Sequence, residues 1–158
     1  MNIKVKTLHE DARLPTRVSK YSAGYDLYAI IEQNRLHTYN DGAEFVTIPP
    51  HTCTPIRTGL AMELPHGYFG AIFAISGLAT KEGLRPATCT SVIDSDYKGE
   101  VIVPLHNDTD YYKEVRGGDR IAQLVLLPYL PYQIAEFTLD DNLSETDRGT
   151  GGFGSTNK

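Results

Sequence analysis

The stretch Val92-Ile-Asp-Ser-Asp-Tyr-Lys-Gly-Glu100 places a short polar segment between two apolar runs. Two acids, one aromatic ring and a glycine are residue types typical of a tight turn, so the segment predicts a β-hairpin. The rest of the chain has the same character, because nine prolines and fourteen glycines separate short apolar runs. The sequence therefore predicts a fold built from many short strands.

Eight short apolar runs are candidate strands, and no window of eleven or more residues keeps a helical stripe. The best helical candidate is about one turn at 77–82. Pro104 lies within a candidate strand, which indicates a bulge or an unpaired strand edge. Frequent strands and turns favour an all-β sandwich, jelly roll or closed barrel. The candidate strands span residues 3–8, 26–31, 44–48, 52–58, 68–75, 101–106, 120–127 and 133–137.

Composition limits the partners that this chain of 158 residues can have. Its length is that of one domain, and 41% hydrophobic residues can form a core. A net charge of −5 provides no overall attraction to a nucleic-acid polymer or an anionic membrane, so neither is an expected partner. A small anionic ligand is compatible with this charge, because local arginines can act within an acidic protein.

The two cysteines and the N-terminal residues predict a cytoplasmic protein. Cys53 and Cys89 show neither CxxC nor metal-ligand spacing, which predicts reduced, partly buried thiols. The N-terminal residues contain no apolar run of signal-peptide length. The most apolar segment, 124–130, is too short to span a bilayer. We therefore expect no membrane association.

Two segments in the first half of the chain are candidate binding elements. Ala23-Gly-Tyr-Asp-Leu27 places Asp26 at the start of an apolar strand, although a turn-capping role would also explain that acid. Ser76-Gly-Leu-Ala-Thr-Lys-Glu-Gly83 opens a helical turn with a hydroxyl and backbone N–H groups that can face an anion. An ordinary N-cap explains the second segment about equally well.

Three later segments carry further polar groups. Asp94, in the segment quoted first, could orient and deprotonate a water, although a solvated turn is the simpler alternative. Arg120 and Gln123 interrupt an otherwise apolar strand and need partners, either internal or from a ligand. The tail, from Arg148 to Lys158, combines an arginine, an aromatic ring, hydroxyls and four glycines. Such a tail could close over a nucleotide, or it could be a disordered terminus.

The order and spacing of these five segments resemble the motifs of the trimeric deoxyuridine triphosphatases (dUTPases), and the resemblance covers nearly the whole chain. It implies a jelly-roll-like β-barrel at residues 1–145 and a flexible Gly-rich tail at 146–158 that closes over a neighbouring site. It also implies hydrolysis of dUTP to dUMP and pyrophosphate with Mg²⁺, which clears dUTP from the nucleotide pool and supplies dUMP for thymidylate synthesis. Each site of the homotrimer would be shared between chains.

The same resemblance implies roles for individual residues. Asp94 would hold and activate the attacking water, and Tyr97 would lie under the deoxyribose and exclude a 2′-hydroxyl. Asp26 would help to place the metal through water. The phosphates would be contacted by Ser76, Gly77 and the catalytic Gln123. The uracil would meet main-chain groups around Thr88, Ser91 and Ile93 at its edge, and the Phe153 ring would lie over it. The terminal phosphates would be bound by Arg148, Gly154, Ser155 and Thr156.

Three positions depart from the family pattern near this site. Ile75 stands where the family has Arg before Ser-Gly, which removes a cation beside the triphosphate. Thr88 stands where many relatives have Asn, and one hydroxyl replaces an amide that can both donate and accept. Ser91 stands where the family has Gly, so we expect a left-handed or bulged backbone there.

Three hypotheses about function follow. The first is a working dUTP pyrophosphatase, which the loss of a cation at position 75 would slow, and the second is a nucleotide-binding relative whose main role is to bind another, unknown protein. The third is a dCTP deaminase, although those relatives are generally longer and carry Arg-Ser-Ser in place of the Ser-Gly element. Pyrophosphate release from dUTP separates the first two hypotheses, and ammonia release from dCTP tests the third.

Overall fold

The structure is a computed structural model that describes residues 2–31, 37–38, 44–130, 136–140 and 142–150. Within these residues the chain is built from antiparallel strands, which confirms the all-β, jelly-roll-like prediction. A π-helical turn at Leu78–Glu82 confirms the single helical turn predicted at 77–82. The strands are β1 (Lys4–Thr7), β2 (Tyr25–Tyr28), β3 (His37–Thr38), β4 (Glu44–Ile48), β5 (Cys53–Glu63), β6 (Tyr68–Phe73), β7 (Leu84–Pro86), β8 (Ser91–Ile93), β9 (Glu100–Asn107), β10 (Lys113–Arg116) and β11 (Arg120–Pro128).

The strands form three sheets, in the orders β1-β5-β9-β7, β10-β4-β3 and β2-β11-β6-β8. Alternation along β9 shows how the core forms, because Val101, Val103 and Leu105 are buried while Ile102 between them is 43% exposed. Side chains from all three sheets meet in one core, which fixes the sheets relative to one another. The largest core side chains include Leu27, Ile48, Leu60, Ile72, Leu105 and Ile121.

The predicted hairpin at 92–100 is wrong. Ile93 at the end of β8 is in register with Gly70 of β6, whereas Glu100 at the start of β9 is in register with Ala61 of β5. The two strands therefore belong to different sheets, and residues 94–99 form a loop that crosses between them. The sequence alone does not distinguish these arrangements, because turn residues look the same within a hairpin and between sheets.

The prediction for Pro104 is also wrong. β9 has a partner on each side, and Pro104 lies opposite Pro55 in the β5 ladder. On the β7 side its carbonyl accepts from the Ala87 N–H at 2.7 Å. A residue of an antiparallel strand directs its N–H and C=O to the same side, so the missing N–H of Pro104 points past the last residue of β7. The proline is tolerated in a central strand for this reason.

The bulge of this sheet lies in β5, where its pairing with β9 shifts between Arg57 and Ala61. Gly59 adopts φ 67° there, and its N–H donates to Glu100 Oε1 at 2.7 Å. The Arg57 Nε donates to the same carboxylate at 2.8 and 3.0 Å. A Cβ on Gly59 would lie 2.2 Å from Ile30 Cδ1. Gly59 is therefore required both for its φ and for its lack of a side chain.

We expect Gly59→Ala to lower the free energy of unfolding by about 2–5 kcal/mol, the sum of the left-handed penalty and overpacking. Gly67→Ala is the matched control, because Gly67 has φ 84° with no atom within 4 Å of its Cβ position. It should cost only the left-handed penalty, about 1–2 kcal/mol. Urea unfolding at one protein concentration measures both values, and equal losses would contradict the overlap with Ile30.

Other predictions are corrected in detail. Cys53 and Cys89 are free, as expected, but both are exposed, so the prediction of partly buried thiols is wrong. The strands at Leu84–Pro86 and Lys113–Arg116 were not predicted, because they are short and most of their residues are polar or proline. The strand predicted at 133–137 lies mostly outside the described residues. No helix among the described residues is long and apolar enough to cross a membrane.

Candidate active site

Asp26 and Gln123 lie side by side on β2 and β11. The two residues are in register, and Gln123 is also in register with Phe73 at the end of β6. The Gln123 Nε2 donates to Asp26 Oδ1 at 3.1 Å. Asp26 is only 2% exposed. The polar groups that interrupt this sheet therefore satisfy one another, and Asp26 fixes the direction of the Gln123 amide.

Arg120 reaches the other oxygen of the same carboxylate. Its Nη1 donates to Asp26 Oδ2 at 3.2 Å. Arg120 and Gln123 are three positions apart, so in a regular strand their side chains would point to opposite faces. The β2–β11 register shifts between Arg120 and Ala122, and this bulge brings Arg120 to the face that carries Asp26 and Gln123.

The Ser76-Gly77 segment follows the end of β6 and leads into the π-helical turn. Ser76 is exposed, and its carbonyl accepts from the Thr80 hydroxyl at 2.8 Å. A Cβ on Gly77 would meet nothing within 4 Å, so the backbone there faces open space. Because Gln123 pairs with Phe73, this segment begins at the same end of the sheet as the Asp26–Gln123 pair.

Ile75 lines a cleft of about 820 Å³ between the π-helical turn and the turn that joins β10 to β11. Gly77 lies on the same wall, and Arg120 lies on the opposite wall. The cleft is also lined by three further cations and three acids: Lys81, Lys113, Arg116, Glu82, Glu114 and Asp119.

The segment that carries Thr88 and Ser91 runs along the other edge of β6. Ser91 is extended in β8 opposite Ile72, and its hydroxyl shares a short hydrogen bond with the Thr88 hydroxyl. The prediction of a left-handed or bulged backbone at Ser91 is wrong, since His51 is the one non-glycine residue with positive φ in the described part of the chain. Ser91 needs no glycine-like conformation because it is paired in a ladder. Ile93 closes the same strand.

Asp94 and Tyr97 lie in the loop that crosses between the sheets. Asp94 is exposed, and its carbonyl accepts from the Tyr97 N–H at 3.1 Å. The Tyr97 hydroxyl donates to the Glu100 carbonyl at 2.9 Å. A Cβ on Gly99 would lie 2.7 Å from the ring carbon Cζ. The ring is therefore held by a hydrogen bond and by contact with a backbone that only glycine provides, a role that the sequence did not reveal.

The two groups of site residues lie at opposite ends of one sheet. Ile93 pairs with Gly70, whereas Gln123 pairs with Phe73, so about 10 Å of β6 separates the two rows. Asp94 continues outward from the first row and Ser76 from the second, so the two residues lie more than about 10 Å apart. The Asp94 and Tyr97 loop therefore does not meet the Ser76, Gln123 and Asp26 group within a single chain.

The described residues contain no group of three or more His, Cys, Asp or Glu side chains that could hold a metal ion. Asp26 uses one oxygen for Gln123 and the other for Arg120. Magnesium commonly binds through one or two carboxylates, several waters and substrate phosphates. The residues present thus fit a metal that the substrate's phosphates carry and that the protein contacts through water.

Of the predicted tail residues, the structure describes only the first. Arg148 is exposed, and the N–H of the following Gly149 donates to the Thr146 carbonyl at 2.9 Å. The other four predicted residues lie outside the described residues: Phe153, Gly154, Ser155 and Thr156.

Comparison with known proteins assigns the chain to a family. A dUTPase family profile matches residues 10–157. The chain belongs to the dUTPase family. It is 44% identical to the deoxyuridine 5'-triphosphate nucleotidohydrolase of Desulfitobacterium hafniense, over 99% of this chain and 96% of that protein.

Solved dUTPase structures agree with this assignment. The dUTPase of Staphylococcus bacteriophage 80alpha with dUPNHPP matches at a TM-score of 0.78 and 26% identity, over 99% of both chains. A mutant dUTPase from phage phi11 of S. aureus, which coordinates a structural Mg(II) ion, shares the fold at a TM-score of 0.71 and 24% identity, over 90% of this chain and 98% of that one. The dUTPase fold therefore extends over the full length of the described chain.

Proposed function

We propose that this dUTPase-family chain hydrolyses dUTP to dUMP and pyrophosphate. The observation that carries the proposal is the arrangement of Asp26, Gln123 and the Ser76-Gly77 segment at one end of a sheet, in a chain 44% identical to a deoxyuridine 5'-triphosphate nucleotidohydrolase. A backbone that faces open space beside a fixed amide can bind an extended anion. The phage 80alpha enzyme, similar in fold over 99% of its length, is a dUTPase with dUPNHPP.

Asp94 is the proposed general base. Attack on phosphorus depends mainly on positioning and charge neutralisation, so one carboxylate to orient and deprotonate a water is sufficient. Gln123 donates to a phosphate oxygen, and Asp26 keeps its amide in place. Ser76 and Gly77 bind phosphate oxygens through the hydroxyl and the backbone N–H groups. Thr88, Ser91 and Ile93 present main-chain groups to the uracil edge.

Mg²⁺ is the proposed cofactor, and it would neutralise the charge of the triphosphate when bound. Asp26 lies beside Gln123 at this end of the sheet, and it would contact the metal through water because both of its oxygens already accept hydrogen bonds. The sparse set of protein ligands fits magnesium, which retains several waters and binds substrate phosphates.

The active unit that we propose is a homotrimer with shared sites. The placement of Asp94 and Ser76 beyond opposite ends of β6 supports this proposal, because a single chain directs the two residues away from each other. One copy supplies the Ser76, Gln123 and Asp26 group, a second supplies Asp94 and Tyr97, and a third supplies the tail. We take 1–145 as the barrel domain and 146–158 as the tail. The free, exposed cysteines suit the reducing cytoplasm, where we place the protein.

The decisive experiment measures pyrophosphate release from dUTP, dTTP, dCTP and UTP at equal concentrations. We expect turnover of dUTP and little turnover of the other three. Light scattering on the same sample should report a trimer. Ammonia release from dCTP, or no turnover of any nucleotide, would reject the proposed activity.

We expect Tyr97→Ala to raise activity on UTP relative to dUTP, because the fixed ring occupies the space that a 2′-hydroxyl needs. The ratio of kcat/KM for the two substrates measures this effect. Tyr97→Phe is the control, since it keeps the ring against Gly99 and loses only the hydrogen bond to Glu100. The control should keep most of the discrimination, and an unchanged ratio in Tyr97→Ala would reject the steric role.

A further inference from the structure

The wall of the cleft beside Ser76-Gly77 lacks a cation at position 75. The side chain that lines the cleft there is Ile75, which can contribute neither charge nor hydrogen bonds. A triphosphate bound at Ser76-Gly77 would carry several negative charges past this apolar side chain. Charge-assisted hydrogen bonds are about twice as strong as neutral ones, so another cation that reaches the phosphates would matter for binding.

Arg120 faces the same cleft from the opposite wall. The bulge in β11 turns it to the face of Asp26 and Gln123, and its side chain is 55% exposed whereas that of Asp26 is 3% exposed. Asp26 is the one hydrogen-bond partner that the described residues give this guanidinium. A guanidinium has five N–H donors in a rigid fork, so most of them remain for a ligand.

We propose that Arg120 supplies the guanidinium that grips the β- and γ-phosphates in this chain, in place of a cation at position 75. The proposal rests on the proposed hydrolysis of dUTP. Asp26 holds one edge of the Arg120 fork, and the remaining N–H groups meet the phosphate oxygens. The buried carboxylate thus positions both the Arg120 guanidinium and the Gln123 amide toward one anion.

Three other cations are less suited to this role. Arg85 lies in a different sheet, where it donates to both oxygens of Asp108 at 2.7 and 2.9 Å. This ion pair lowers the pKa of Asp108, mainly through the hydrogen bond from Arg85. Lys113 lines the cleft but pairs with Glu82 at 3.1 Å. Lys81 also lines the cleft, but its ammonium is a point charge on an exposed, flexible stem.

The test compares binding of dUPNHPP and dUMP to Arg120→Lys. Lysine retains the charge that Asp26 needs but loses the fork, so we expect dUPNHPP to bind about tenfold more weakly. Binding of dUMP, which lacks the β- and γ-phosphates, should change less than about twofold. Equal weakening of both ligands would mean that Arg120 only supports the fold, and that result would overturn the proposal.

A second variant tests the compensation directly. Ile75→Arg should raise kcat/KM for dUTP less than about threefold in the wild type, because the Arg120 guanidinium already binds the same phosphates. In the Arg120→Lys background, the same substitution should raise kcat/KM about tenfold. A gain in kcat/KM above about tenfold in the wild type would show that no cation replaces the one missing at position 75, and it would overturn the proposal. This measurement does not depend on whether Arg120→Lys folds.

Two controls separate Arg120 from other cations. Arg85→Lys makes the same substitution in an Arg–Asp pair of another sheet, and it should leave the ratio of dUPNHPP to dUMP affinity unchanged. Lys81→Gln should do the same, and a selective loss of dUPNHPP binding there would transfer the role to Lys81. A wild-type protein that releases no pyrophosphate from dUTP but still binds dUPNHPP through Arg120 would reject the proposed activity and leave the phosphate contact standing.

Discussion

Asp94→Asn is expected to lower kcat for dUTP by about 10²–10⁴-fold while dUPNHPP binding changes little. Asparagine has nearly the same size as aspartate but cannot accept the proton of the attacking water. The loss should therefore appear in the chemical step, and the affinity for the uncleaved analogue should remain. Single-turnover pyrophosphate release, together with calorimetric titration of dUPNHPP, measures the two quantities separately.

Asp96→Asn is the matched control for this prediction. Asp96 is an exposed acid in the same loop, two residues from Asp94, so the substitution makes the same change in charge. It should alter kcat by no more than a few-fold, whereas a general electrostatic effect of the loop would make the two variants alike. If Asp94→Asn keeps more than about a tenth of the wild-type rate, Asp94 is not the base.

Removal of residues 149–158 is expected to slow dUTP turnover at least tenfold and to leave the trimer intact. Phe153 alone offers a stacking face worth about 1–3 kcal/mol, and the hydroxyls and glycines around it close the site against water. Described residues that precede the cut, such as Leu139 and Leu143, are 107% and 88% exposed, so they add nothing to the core of the single chain.

Two measurements check the truncation. Steady-state kinetics gives the loss of turnover, and light scattering gives the oligomeric state. A shorter deletion that removes only Asn157 and Lys158 is the control, and it should behave like the wild type. If the long truncation dissociates the trimer, the tail is a structural element and its role in closing the site is wrong.

The sequence predicted those strands and turns of this fold that depend only on the residues within one short segment. The strands at Glu44–Ile48 and Tyr68–Phe73 and the turn at Leu78–Glu82 follow from apolar runs bounded by glycine and proline. The pairing of Asp26 with Gln123 also follows in part, because polar residues within an apolar strand require partners. Which partner each residue takes depends on strand register, and register is not encoded in any one segment.

The errors have the same physical origin. The loop at 94–99 has the composition of a hairpin, yet the strands on either side pair with β6 and β5 rather than with each other. Pro104 is accommodated because its missing N–H points past the last residue of β7. The residue types around Arg120 do not indicate the bulge that turns its side chain toward Asp26. Each of these features is a property of two strands together.

The placement of Asp94 and Ser76 at opposite ends of one sheet has a consequence for inheritance. If the active unit is the proposed homotrimer, a cell with two alleles, one that lacks Asp94 and one that lacks Gln123, would assemble mixed trimers. In some of these, one chain's intact Gln123 end would meet another chain's intact Asp94 loop, so two inactive gene products would together restore activity. Two alleles that both lack Asp94 would have no such rescue. Genetic complementation between alleles would therefore map, without a structure, which residues serve the same end of the sheet.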